Sequence, residues 1–153
     1  MFIKRRPKNI FQLNLYVSDK NSHYSLRNYK NKTIFRADRG KLYDGGCEAV
    51  FENCKTGKKE LHRVGQVAES KLGRKTFTFD GHDIHRYLNA KGITFRITVV
   101  SDSRIVFRIF EDGEYTGSAR IEKAGLKVRC YTQCDIEDIR LLFLTLFTLV
   151  RIS

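Results

Sequence analysis

The chain has 153 residues, 41% hydrophobic and 30% charged, with a single proline. That size and balance suit one globular domain over 1–153 that buries roughly 68–70% of its unfolded surface, and they exclude a Pro-rich or low-complexity chain. The formal net charge of +12 sets the protein apart from a neutral scaffold and directs attention to anionic partners.

The charge is uneven. Residues 1–41 hold 11 Lys/Arg against 2 Asp/Glu, residues 42–100 hold 10 against 7, and residues 101–153 hold 8 against 8. The opening MFIKRRPKNIFQLNLYV carries charge but no apolar run long enough for a secretory leader. A cytoplasmic protein is expected, peripheral at the inner membrane face if it meets a membrane at all.

From the N-terminus, Ile10 to Val17 alternates as a strand does. Tyr24 to Ala37 reads as two strands around Lys30-Asn31, and Gly45-Gly46 punctuates the chain. Glu48 to Cys54 and Lys59 to Val67 flank a hairpin tip at Lys55 to Lys58. Lys75 to Phe79 is a strand ended by Asp80-Gly81. Residues 82–91 fit a helical turn or a strand equally well. Ile93 to Val100, Arg104 to Phe110, Tyr115 to Glu122 and Leu126 to Tyr131 then form an antiparallel meander on short turns. Asp112-Gly113 is its strongest hairpin signal, and Gly117 marks a bulge. Turns every 8–12 residues are the rhythm of an all-β sandwich or barrel.

The end of the chain differs. Asp135 is placed to cap a helix, with Glu137 and Asp138 in its first turn. From Leu141 to Val150 only Thr145 and Thr148 are polar. A helix apolar on every face either spans a membrane or lies inside a domain. Residues 139–150 rise only ~18 Å, short of the ~30 Å of a bilayer core. A buried core helix is therefore expected.

Four cysteines, at 47, 54, 130 and 134, lack the C-x2-C spacing of a zinc or redox pair, so free thiols and no metal are expected. His82 and His85 read as surface groups near the Asp80-Gly81 turn. No Walker loop, G-x-S-x-G or H-E-x-x-H is present. The chain reads as no enzyme and calls for no cofactor.

A basic, many-stranded domain that closes on an apolar helix resembles the tubby C-terminal-like superfamily, in particular the short LURP-one-related bacterial and plant proteins. The similar segments are Phe2 to Arg6 with Phe11 to Leu15, Ser118 to Lys123, Leu126 to Tyr131, and the acidic cap and helix DIEDIRLLFLTL from Asp135. The resemblance implies a mainly β fold, a closed antiparallel barrel of about a dozen strands around the C-terminal helix. It also implies a non-catalytic role, since tubby proteins bind phosphoinositides through basic residues and scramblases act at membranes.

Three basic clusters are the candidate anion- or lipid-binding residues. They are Lys4, Arg5, Arg6 and Lys8; Lys55, Lys58 and Lys59; and Lys71, Arg74 and Lys75. The expected partner is an anionic membrane surface, a phosphoinositide headgroup or an acidic protein surface. Electrostatic nucleic-acid binding is the alternative, disfavoured because the phenylalanines sit in alternating strands rather than on a stacking surface.

Overall fold

Alternating side chains need a sheet with one buried face, and that is what most of the chain builds. The structure, a computed structural model, describes residues 10–17 and 22–153. The strands are β1 (Ile10–Val17), β2 (Ser22–Asn28), β3 (Thr33–Tyr43), β4 (Gly46–Asn53), β5 (Lys59–Gly65), β6 (Ala68–Glu69), β7 (Lys75–Thr76), β8 (Thr78–Phe79) and β9 (His82–Asp83). Helix α1 (Ile84–Ala90) follows, then β10 (Ile93–Val100), β11 (Arg104–Glu111), β12 (Glu114–Ala124), β13 (Lys127–Cys134) and helix α2 (Ile139–Ile152).

Eleven strands form one antiparallel sheet in the order β10-β11-β12-β13-β1-β2-β3-β4-β5-β8-β9, and β6 with β7 makes a separate ribbon. The N-terminal strand joins the two meanders: β1 pairs with β13 on one side (Leu13 opposite Cys130) and β2 on the other (Leu13 opposite Leu26). Period-two burial follows, with Phe35 and Ala37, Ala49 and Phe51, Phe107 and Ile109, and Ala119 and Ile121 all facing the core.

The helix occupies that core. Nine consecutive residues, Leu142 to Val150, are buried, so no face meets water. Phe143 packs on Phe35 of β3 with ring centroids 4.6 Å apart and on Phe51 of β4 at 5.2 Å. Phe147 reaches Tyr24 of β2 at 4.6 Å and Phe77 at 5.9 Å, and α2 also touches β12 and β13. Contact with strands so far apart in sheet order requires the sheet to curl around the helix. The two polar residues of the run are satisfied within it: Thr145 and Thr148 hydroxyls donate to the Leu141 and Leu144 carbonyls, each at 2.8 Å. Among the described residues, no helix is long and apolar enough to cross a membrane.

The closed barrel is corrected: the sheet curls but stays open. Its last strands, β9 and β10, are not hydrogen-bonded neighbours. Strand β9 is only two residues long, because Asp83 caps α1 by accepting from the Arg86 amide at 3.1 Å. That helix then carries the chain across the gap to β10. Residues 82–91 are thus a strand end and a short helix. The strand expected over Lys75 to Phe79 is split at buried Phe77, β7 pairing with β6 and β8 with β5. The α2 cap is Asp138, whose carboxylate accepts from the Arg140 and Leu141 amides at 3.0 and 3.2 Å, in place of Asp135. Buried Ile136 anchors the preceding segment to the core and delays the helix start.

Two turns show why their residues were legible. Asp112 and Gly113 both have positive φ, 52° and 83°, as a type I′ hairpin demands. At Gly117 the register with β11 shifts, and an added Cβ would lie 2.1 Å from the Gln133 carbonyl oxygen, so only glycine fits beside that bulge.

Candidate functional site: a groove at the open edge

The gap between the sheet's ends is a groove of about 670 Å³. One wall is β10, with Phe95, Arg96, Ile97 and Val100. The other is α1 with His85 and Asn89, and the β6–β7 ribbon with Arg74 and Lys75. Its floor reaches β11 and the last turn of α2 at Ile152.

Among the described residues β10 is an edge strand, so one row of its backbone N–H and C=O groups has no partner strand there. It is also unusually apolar for an edge. Ile97, Val99 and Val100 are 58%, 43% and 68% exposed. A register shift between Ile97 and Val99 and the charge of Arg96 are its only blunting features among the described residues.

The walls are set by local chemistry. His85, expected at the surface, is buried on α1, and its Nε2 donates to the Lys75 carbonyl at 2.9 Å. A carbonyl only accepts, so this nitrogen carries the proton. Its ring packs on Phe95 at 5.4 Å. The Thr76 hydroxyl donates to Asp83 at 2.5 Å. Together these bonds pin the ribbon to α1. Arg96 stands over Phe110 at 5.6 Å. Arg74, Lys75 and Arg96 give the groove positive charge, and among the described residues no Asp or Glu side chain lines it.

The two basic clusters within the described residues do not form one site. Lys4, Arg5, Arg6 and Lys8 lie outside the described residues. Arg74 and Lys75 line the groove beside the C-terminal end of α2, and exposed Lys71 lies in the ribbon turn outside it. Lys55, Lys58 and Lys59 are exposed in the β4–β5 hairpin, at the other end of the helix. Glu60, next to Lys59, accepts from Arg140 Nε at 2.8 Å there, and Lys58 Nζ lies 3.6 Å from the same carboxylate. Helix α2, of 14 residues, separates the two clusters by ~20 Å. Arg96 was missed because a lone arginine in a strand resembles any solvated residue.

The four cysteines are free thiols. Cys130 and Cys134 share one face of β13, four residues apart, a separation of ~13 Å that no disulfide spans. Among the described residues, no group of three or more His, Cys, Asp or Glu is placed to hold a metal ion. Compared with protein-family models, curated proteins and solved structures, the chain matches none.

Proposed function

We propose that the protein is a non-catalytic binding module that takes an extended, acidic segment of a partner protein into the open-edge groove. The observation that carries this reading is the coincidence of an apolar edge strand, unpaired among the described residues, with a cationic rim. Strand addition supplies backbone hydrogen bonds, and flanking pockets choose the side chains. A peptide alternating acidic and β-branched residues would present apolar groups to Phe95, Ile97 and Ile105 and carboxylates to Arg74, Lys75 and Arg96.

The separation of the two described basic clusters favours this over a flat anionic surface, which engages one face at a time. The membrane implied by the tubby-like resemblance, and nucleic acid, remain as competitors in the test. The probe is a short, labelled, amidated peptide alternating Glu with Val or Ile, titrated by fluorescence anisotropy. Anionic phosphoinositide vesicles and duplex DNA are the competing arms. The expected result is saturable peptide binding that weakens with salt and weakens further in Arg74→Ser/Lys75→Ser/Arg96→Ser. Three rim charges at ~0.5 kcal/mol each amount to roughly tenfold. Vesicles or DNA that bind wild type more tightly and displace the peptide would hand the site to the other partner.

A further inference from the structure

A second cavity lies at the C-terminal end of α2, away from the groove's β10 wall. It has a volume of about 220 Å³ and is walled by β2, β3, β4, β5 and the helix. Ala37, Ala49, Val64 and Phe147 make it mainly apolar, and its polar lining includes Tyr24 and Arg151 together with Asp38, Arg39 and Gln66.

Arg151 is the unusual residue. Its guanidinium lies over Phe77 at 5.2 Å and Phe147 at 5.8 Å. Its Nε is shut off from solvent with no hydrogen-bond partner among the described residues. Its Nη2 makes a long 3.5 Å contact to the Gly65 carbonyl, and the guanidinium also engages the Tyr24 hydroxyl beside it. Among the described residues no carboxylate pairs with it. The acid on the cavity wall, Asp38, is instead held by His23 Nδ1 at 2.5 Å. A partly dehydrated cation with no counter-anion among the described residues is costly, and a bound anion removes that cost. Burial raises the Tyr24 hydroxyl above its usual pKa, so it stays protonated and able to donate to an anion.

We infer that this cavity binds a small apolar monocarboxylate, its carboxylate on Arg151 and Tyr24 and its apolar body against Ala37, Ala49 and Val64. The size sets the class. An apolar cavity near 150 Å³ accepts benzene, so 220 Å³ accepts an acid about as large as benzoate. A bidentate guanidinium–carboxylate pair supplies the selectivity.

The test uses benzoate, with benzamide as its neutral isostere. Benzoate should raise the melting temperature saturably, as any ligand of the native state does, and benzamide should not. Cys47 lines the cavity and Cys54 lies beyond the far end of β4, so benzoate should slow alkylation of Cys47 and leave Cys54 unchanged. Arg151→Met should lose the benzoate shift. Should that variant fail to fold, the wild-type comparison still decides. Equal effects of benzoate and benzamide, an unprotected Cys47, or a full benzoate response in Arg151→Met would each overturn the inference.

Discussion

Glu60, His62, Asp80 and Arg140 form a polar cluster that fastens the start of α2 to the sheet. His62, buried on β5, lies 2.7 Å from Asp80 through Nδ1 and 3.0 Å from Glu60 through Nε2. Arg140 donates to Glu60 at 2.8 Å. The Arg140 hydrogen bond is the main reason the Glu60 carboxyl falls from its usual 4.5 to about 2. A depressed carboxyl stabilises the fold fully above its unfolded pKa, and that share is lost as pH falls from about 4.5 towards about 2. In Glu60→Gln, the deficit relative to wild type should be largest above pH ~5 and shrink on acidification through this window. Urea unfolding at stepped pH measures it, and a deficit independent of pH would show that the pair is not the source. The cysteines give a second expectation at this scale. Complete burial pushes the Cys130 thiol up to about 12, and Cys134 is also buried. Native alkylation followed by mass spectrometry should label Cys47 and Cys54 first and reach Cys130 and Cys134 only after denaturation. Early labelling of Cys130 would contradict its placement. None of this cluster was legible in the sequence, because Glu60 and Arg140 meet only through the tertiary fold.

Among the elements, α2 was the most legible and is the most constrained. Uniform apolarity over Leu141 to Val150 said that it must be covered, and its short length excluded a bilayer span. Leu144→Asp should abolish cooperative folding, since it places an unpaired charge in a dry core. Phe147→Ala should cost about 3–5 kcal/mol, because Phe147 joins β2, β4 and Phe77. Chemical unfolding followed by circular dichroism checks both, and a soluble, cooperatively folding Leu144→Asp variant would refute helix burial. The hairpins at Asp112-Gly113 and Lys55 to Lys58 were readable because turn residues report backbone conformation locally. Barrel closure was not readable, since it depends on whether two distant edges meet. The switch of pairing at Phe77 was hidden for the same reason: Lys75 to Phe79 alternates like one strand, yet its halves serve different partners.

For the molecule as a whole, the curled but open sheet is the feature on which the functional proposal rests. An edge strand exposing Ile97, Val99 and Val100 would invite self-association, and the cationic rim of Arg74, Lys75 and Arg96 opposes a like-charged second copy. Salt should therefore promote dimers: sedimentation at low and high ionic strength should show the larger species only at high salt, and Val99→Lys should suppress it. A dimer that dissociates with salt would instead mean an attractive ionic interface. The most direct test is residue-resolved hydrogen exchange of β10, free and with the acidic β-branched peptide. In the free protein, the β10 amides facing the gap should exchange far faster than those of the central strands β1 and β13, and the bound peptide should slow them selectively. Amides of β10 already protected like those of β1, or a peptide that protects another part of the sheet, would contradict the account.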